Sequence, residues 1–254
     1  MRSLNFDFLG RVAFIFGGAG GIGKEIASAI GSRGGKICLF DINSELLSRA
    51  REELEGSGIW VRTYVTDITS YESVQESTSR ALKESEKIDI LVNGASIITR
   101  KSVFELSFKE WLMTISINLN GTFLACSILG KVMLENGYGR ILNFSSQNSS
   151  GAMNNADYSA SKAGIDSLTR SLAVEFREKN KDITVNAISP PPTITELWKK
   201  GRTEEQISAA INNGSVFRTD EMINVILFLC SEESGSISGQ ILSHKANLFR
   251  VPNR

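Results

Sequence analysis

"FGGAGGIGKEIASAI", residues 16–30, follows the apolar run "VAFIF" at 12–16 and turns directly into a helical pattern. Gly17, Gly18, Gly20, Gly21 and Gly23 crowd the turn. Glycines permit a tight bend, bring bare N–H groups up to a pyrophosphate and let the helix pack close to the strand, while the helix N-terminus faces the anion. The stretch Gly18 to Gly23 satisfies G-x-G-x-x-G and stands in the required strand, loop and helix context. The second strand, "KICLF", ends at Asp41, eighteen residues past Gly23 (41 − 23), close to the ~20 at which an acid meets an adenosine ribose. Its carboxylate would repel a 2′-phosphate, and no arginine adjoins it in "LFDINSE", so the pattern favours NAD over NADP. A plainer reading makes Asp41, with Asn43 and Ser44, the cap of the next helix. Strand, glycines and acid together favour the nucleotide. The rival phosphate motif G-x-x-x-x-G-K-[ST] fails because Glu25 follows Lys24.

Outward from this unit the same rhythm repeats. Short apolar runs at 36–40, 59–65, 88–93, 140–145, 183–189 and 239–242 alternate with helical periodicity at 43–54, 71–83, 108–134, 157–176 and 221–229. That alternation predicts right-handed crossovers and a mostly parallel, seven-stranded sheet covered by helices on both faces, a single doubly wound α/β domain over 1–254. The only proline cluster, Pro190 to Pro192, directly follows a strand and opens one long irregular segment, read as a substrate loop at about 190–215.

With 254 residues, 41% of them hydrophobic, and a formal net charge of zero, nothing in the composition points to disorder, nucleic acid or a membrane surface. The N-terminal apolar run is broken by Asp7 and Arg11, which does not fit a signal peptide, and no span reads as long enough to cross a bilayer. Cys38, Cys126 and Cys230 lie scattered in apolar runs, the pattern of buried thiols in a reducing, cytoplasmic compartment. His244 is the only histidine and no cysteine or histidine pair has ligand spacing, so no metal is expected.

"DYSASK", residues 157–162, sets a phenol and an ammonium four positions apart. On a helix Tyr158 and Lys162 then fall about 40° apart on one face, and a neighbouring ammonium favours a phenolate.

A dinucleotide loop followed by Tyr-x-x-x-Lys near position 160 resembles the short-chain dehydrogenase/reductase family over nearly the whole chain. "GGAGGIG" is similar to its Gly-x-x-x-Gly-x-Gly loop through Gly17, Gly21 and Gly23. "VTDIT" supplies Asp67, "LVNGAS" stands where the family has Asn-Asn-Ala-Gly, "INLNGTF" carries Asn118, and "NAISPPPTIT" resembles the loop that grips the nicotinamide amide, ending in Thr195. The resemblance implies catalysis by Asn118, a serine, Tyr158 and Lys162. It also implies a cofactor set of Gly17, Gly21, Ile22, Gly23, Asp41, Asp67, Ile68, Asn93, Tyr158, Lys162 and Thr195. The strand end "GRILNFSS" selects Ser146 as the serine, twelve residues before Tyr158 (158 − 146), whereas counting back from the tyrosine selects Ser145; the strand end is given precedence. In the family's chemistry the serine polarises the substrate oxygen, Asn118 holds a water in a proton relay, Lys162 binds the nicotinamide ribose, and Tyr158 exchanges the proton. Departures are Phe16 before the first loop glycine, Gly94 and Ser96 after the fourth strand, Pro191 in place of a glycine, and a tail without Asp-Gly-Gly.

The expectation is therefore an NAD-dependent interconversion of a secondary alcohol and a ketone. Trp198, Lys199, Lys200 and Arg202, with the amides and hydroxyls of "QNSSGAMNN" at 147–155, suggest a polar, sugar-like or anionic small molecule. A 3-oxoacyl-acyl-carrier-protein reductase and a non-catalytic NAD-binding scaffold are the alternatives; the retention of all four catalytic positions weighs against the scaffold. Ser159-Ala-Ser-Lys162 fits the Ser-x-x-Lys of certain serine hydrolases, but their partner motifs Ser-Asp-Asn and Lys-Thr-Gly are absent. A homo-oligomer, tetramer or dimer, built through the helices at 108–134 and 157–176 is implied by the resemblance.

Overall fold

The first strand, β1 (Val12–Phe16), is buried at all five positions, as a strand must be when both faces of its sheet are covered. The structure, a computed structural model, describes residues 6–179, 181–199, 201–212, 216–217 and 219–243, apart from the side chains at 196, 197, 220 and 221. Seven strands form one parallel sheet, with β2 at Lys36–Asp41, β3 at Val61–Val65, β4 at Ile90–Asn93, β5 at Tyr138–Phe144, β6 at Asp182–Ser189 and β7 at Ile241–Ser243, in the order β3-β2-β1-β4-β5-β6-β7. Every expected strand is present, β1 at the expected bounds and the others with one or both ends moved by one or two residues. The order reverses between β1 and β4, and a crevice opens at the carboxyl ends of strands at such a switch point.

Alternate residues of β1 feed opposite cores. Ala13 and Ile15 pack with Ile26 and Ile30 of α1 (Gly21–Gly31), and Val12, Phe14 and Phe16 pack on the other face with Ala125, Leu129 and Met133 of α5 (Gly121–Asn136), as a period of two requires. Helices α2 (Ser44–Gly56) and α3 (Tyr71–Ser85) cover β2 and β3 from opposite faces. Asn43, not Asp41, caps α2, its side chain accepting from the Leu46 amide at 3.0 Å.

Two expectations need correction. The helix expected at 108–134 is α4 (Phe108–Ile115), a π-turn at Ser116–Asn120, and α5. End to end, Phe108–Asn136 spans 29 residues and is apolar enough to cross a membrane by length and composition, contrary to the reading of the sequence. It packs instead on the sheet, with Ala125, Cys126, Leu129 and Met133 buried in the core. The segment read as irregular holds α7 (Glu196–Lys199) and α8 (Glu204–Asn212). Thr203 and Gln206 form the reciprocal cap that starts α8 (3.0 and 3.3 Å), a T-x-x-Q signature visible in the sequence. The loop folds back so that Thr193 and Phe217 form a parallel bridge. Helices α6 (Ala156–Glu178) and α9 (Asp220–Cys230) complete the layers. The tail with His244, and the region where Asp-Gly-Gly was missed, lie outside the described residues, as does Lys200.

Arg140 is the largest fully buried side chain among the described residues. It ties β5 to β6 and to the end of α9 by donating to the Gly139, Asp182 and Ser231 carbonyls (3.0, 3.0 and 2.9 Å) and by pairing with the Asp182 carboxylate at 2.9 Å. Removing it orphans several acceptors at once. Arg140→Met is expected to lower the unfolding free energy by about 3 kcal/mol, read from urea denaturation; a loss below about 1 kcal/mol would show that water replaces the clamp.

Candidate active site

Two cavities adjoin at the carboxyl ends of the strands, of about 340 and 220 Å³. Ile22, Gly94, Ser96, Phe144 and Thr195 line both, so they are halves of one crevice.

The larger half is built by the glycine loop. Gly17 has φ +70°, and a Cβ there would meet the Ala95 amide nitrogen at 2.7 Å; one on Gly18 would meet the Ile15 carbonyl at 2.7 Å, and one on Gly23 would strike the Gly17 carbonyl. These glycines are required by close approach of backbone to backbone. The Gly17 and Gly18 amides donate to the Phe40 carbonyl (2.8 and 3.2 Å), and the Ala19 amide donates to Asp41 Oδ2 at 3.3 Å. The loop is thus stitched to the end of β2, and the amides of Gly21 and Ile22, at the start of α1 and in the lining, are left for an anion. Asp41, Thr66, Asp67 and Ile68 line the far end. Asp67 is held by the Thr69 amide and hydroxyl, which donate to it at 2.9 and 2.7 Å.

Asn93 is the exception among the expected cofactor residues. It does not line the cavity: its amide donates to Asn143 Oδ1 at 2.8 Å and to Cys126 Sγ at 3.2 Å inside the core, because a residue at the end of β4 with this register points into the helix layer rather than the crevice. Ala95, two residues on, lines the crevice instead.

The smaller half holds Tyr158, Lys162, Ser145 and Ser146. Tyr158 and Lys162 lie on one face of α6, with the Lys162 Nζ 5.5 Å from the phenol ring centroid. Lys162 is 2% exposed and donates to the Phe144 carbonyl at 2.7 Å. Burial pulls its pKa from 10.5 down to about 7, against a smaller upward pull from Asp166. Burial likewise raises the Tyr158 pKa, opposed by the Ser146 hydroxyl, then the Arg100 charge, then the Ser96 hydroxyl. This differs from the expectation that Lys162 holds the phenol ionised: the ammonium sits over the ring face, drawn there by the Phe144 carbonyl, and the charge that favours the phenolate belongs to Arg100. Nothing in the sequence marked Arg100 or Ser96 as neighbours of Tyr158, although both lie just past β4.

Of the two serines, Ser146 opposes the rise in the Tyr158 pKa and accepts from the Asn148 amide at 3.1 Å. Ser145 is buried, and its hydroxyl has no partner among the described residues. Asn118 sits in the π-turn, an insertion common at functional sites. Its side chain accepts from the Ile97 amide (2.8 Å) and donates to the Ile97 carbonyl and Ser161 Oγ (both 3.0 Å). Ser161 in turn donates to the Tyr158 carbonyl at 2.7 Å. Gln147, Asn148, Asn155, Trp198 and Arg202 complete the rim, and Thr195 sits beside Gly21 and caps α7 through the Trp198 amide (3.1 Å).

A doubly wound sheet with a glycine-built crevice at its switch point, next to a buried Tyr and Lys one helical turn apart, defines a dinucleotide-dependent oxidoreductase. Residues 17–246 match a family model described as enoyl-(acyl carrier protein) reductase. The chain is 36% identical over 243 residues to D-threitol dehydrogenase of Mycolicibacterium smegmatis, covering 93% of each. It is 34% identical over 242 residues to the NAD-dependent glycerol dehydrogenase of Listeria innocua, covering 94% of this chain and 93% of that one. The crystal structure of an NAD+-bound xylitol dehydrogenase superposes with a TM-score of 0.85 at 28% identity, over 93% of this chain and 98% of that one. The chain belongs to the short-chain dehydrogenase/reductase family.

The depressed Lys162 pKa has a measurable consequence. Between its folded value of about 7 and its unfolded value of 10.5 the unfolded chain holds a proton that the folded chain has released, so stability rises with pH across that window and is lost as pH falls through about 7. The raised Tyr158 acts in the opposite sense only above its ordinary 10.0. Urea unfolding of wild type and Lys162→Met at about pH 7 and about pH 9 is expected to show an extra slope of up to about 1.4 kcal/mol per unit in the wild type alone. Parallel curves would mean that the lysine stays protonated inside the fold.

Proposed function

We propose that the protein is an NAD(H)-dependent oxidoreductase that interconverts a secondary alcohol and a ketone on a small hydroxylated molecule, with Tyr158 as the proton-transfer group. The observation that carries the reading is one crevice that joins the glycine-lined cavity to the Tyr158, Lys162 and Ser146 cluster. The glycine cradle fits a dinucleotide: a side chain at Gly17, Gly18 or Gly23 would collide with backbone, which leaves a bare wall with the Gly21 and Ile22 amides at a helix N-terminus for the pyrophosphate. Asp41 takes the adenosine ribose and disfavours a 2′-phosphate, Asp67 and Ile68 border the adenine, and Thr195 borders the nicotinamide amide. When bound, the cofactor supplies or takes up the hydride.

The chain's own residues handle the proton. Ser146 holds the substrate oxygen beside the phenol, and Tyr158 accepts the alcohol proton or returns it. Lys162, its pKa pulled down to about 7 by burial, exchanges protons at little cost near neutrality and binds the nicotinamide ribose. Asn118 acts by position: its amide is committed to Ile97 and Ser161, so a relay water rests on main-chain carbonyls. Through Ser161 it steadies the turn that carries Tyr158.

Similarity to proteins named for threitol, glycerol and xylitol supports a small polyol-like substrate. The description of the matched family model favours a second reading, reduction of an acyl-carrier-protein substrate, against which Asp41 argues where the reductant is NADPH. We read the whole chain as one domain with its substrate loop at 190–215, in a reducing cytoplasm that suits three buried free thiols. Exposed Phe108, Leu112, Met113 and Phe123 on α4 and α5 support a homo-oligomer, tetramer or dimer.

Titration with NADH and NADPH is expected to show tighter binding of NADH by about tenfold or more, a margin that shrinks in Asp41→Ser. Tyr158→Phe is expected to slow alcohol oxidation by about 100-fold or more with NADH still bound. Wild-type turnover in Tyr158→Phe would remove the proton-transfer assignment, and preferential NADPH binding would remove the role of Asp41.

A further inference from the structure

Asp157 takes no direct part in the proton transfer, yet it is a carboxyl 0% exposed to water, directly before Tyr158 in the first turn of α6. Its Oδ2 accepts from Thr114 Oγ1 at 2.7 Å, whereas its Oδ1 has no hydrogen-bond partner among the described residues. Burying a carboxyl on a single hydrogen bond costs free energy, a cost that proteins carry where geometry matters more than stability. Thr114, near the end of α4, is buried as well. Its hydroxyl has one proton, which goes to Asp157, so the Thr99 hydroxyl 3.4 Å away is the donor in their contact. A chain of side chains therefore runs from Thr99, in the segment after β4, through Thr114 of α4 to Asp157 of α6. Successive residues of a helix point about 100° apart, so the carboxyl faces α4 while the Tyr158 phenol faces the crevice.

The segment that this chain reaches carries two groups that act on the phenol from outside its own helix. Ser96 hydrogen-bonds to Tyr158, and the Arg100 charge favours its ionised form. Arg100 has φ +60°, a left-handed conformation that a non-glycine residue keeps only where its surroundings over-determine it. Both of its chain neighbours are pinned. Thr99 is tied by its side chain to Thr114, and Lys101 pairs in a parallel bridge with Asn155, the residue that precedes α6. Asp157 thus anchors one flank of Arg100 and Asn155 the other, from positions two residues apart (157 − 155).

We infer that Asp157 and Thr114 are positioning residues of the reaction: their hydrogen bond, extended by Thr99, holds the segment that bears Ser96 and Arg100 in place against the Tyr158 phenol. This rests on Tyr158 as the proton-transfer group and adds what keeps the groups across from it aligned with its helix. Ser96 and Arg100 both lower the proton affinity of the phenol, so loosening their segment raises it. The charged groups that share the cavity with the phenol are Lys162 from α6, Arg100 from the segment after β4 and Arg202 from the substrate loop, and the described lining holds no Asp or Glu. All three remain in the variants below, so a displaced pH profile reads their placement.

The test follows kcat for threitol oxidation with NAD+ against pH in wild type, Thr114→Val, Thr114→Ser, Asp157→Leu and the double variant Thr114→Val, Asp157→Leu. In Thr114→Val the rising limb of kcat is expected to move up by about half a pH unit or more, slowing turnover near pH 7 about threefold or more, with KM for NAD+ within about twofold of wild type. Asp157→Leu and the double variant are expected to move it no further, since two residues that act through one bond are not additive. Thr114→Ser, which keeps the hydroxyl, is expected to restore the wild-type profile. A limb that stays in place in Thr114→Val, even with kcat lowered at every pH, overturns the inference, as do displacements that add in the double variant or that Thr114→Ser fails to reverse. If Thr114→Val does not fold, Thr99→Val, at the half-buried end of the chain, takes its place under the same criteria. If wild type leaves threitol unoxidised, amide hydrogen exchange decides without turnover. Faster exchange at both 97–101 and 156–159 in Thr114→Val, and not in Thr114→Ser, upholds the tie with the redox reading at fault; exchange unchanged in either segment overturns the tie.

Discussion

The hydrogen bond from the Lys162 ammonium to the Phe144 carbonyl, at 2.7 Å in a site that is 2% exposed to water, is the constraint on which the crevice depends. A buried amine, charged or neutral, needs a partner for its N–H groups, and the partner here is the last carbonyl of β5. This bond fixes α6 against the carboxyl edge of the sheet, which in turn fixes Tyr158 one turn earlier. The lysine reaches it across the wall that separates dinucleotide cavity from substrate cavity, since Phe144 lines both. Shifting α6 by one residue would move Tyr158 to another face of the helix and leave the ammonium in apolar surroundings. Sheet, helix and chemistry are consequently set by one buried hydrogen bond.

The parts of this arrangement that were legible in the sequence are those whose reasons are local. A strand, a run of glycines and a helix follow one another without a gap, and Asp41 ends the next strand at a distance that the crossover length dictates. Tyr158 and Lys162 declare themselves by helical spacing alone. What escaped was decided by register and by distant partners. Asn93 looks like its neighbours in "LVNGAS", but its side chain belongs to the core network that runs to Asn143 and Thr169 (2.8 and 2.9 Å). Arg100 lies in an unremarkable "ITRK", and only the turn at +60° delivers it to the pocket. Ser146, the serine that the strand end selects, is the one whose hydroxyl opposes the rise in the Tyr158 pKa, and β5 ends two residues before it at Phe144.

The π-turn at Ser116–Asn120 was hidden for a different reason. Periodicity over 108–134 averages across one inserted residue, so the pattern reads as a continuous helix. The insertion matters because it lets Asn118 reach sideways to the Ile97 backbone and to Ser161. An α-helix without it would keep that amide in line with Ile115 and Thr122, away from the segment after β4. Since Ser161 then donates to the Tyr158 carbonyl, three elements, the π-turn, the strand-end loop and α6, share one hydrogen-bonded junction behind the phenol. Thr114 adds a second tie, donating to the buried Asp157 carboxylate at 2.7 Å.

Charge along the crevice changes sign from one end to the other. Asp41 and Asp67 border the adenosine end, the uncharged glycine wall and the α1 N-terminus occupy the middle, and Arg100, Arg202 and Lys162 close the far end. Ionisable side chains of opposite sign thus stand at the two ends of the crevice, with backbone amides between them. At the far end burial favours the neutral phenol of Tyr158, and the Ser146 hydroxyl, the Arg100 charge and the Ser96 hydroxyl all oppose it by favouring the ionised form. The proton affinity of the phenol oxygen is therefore set by groups from the segment after β4 and the end of β5 as well as by its own helix.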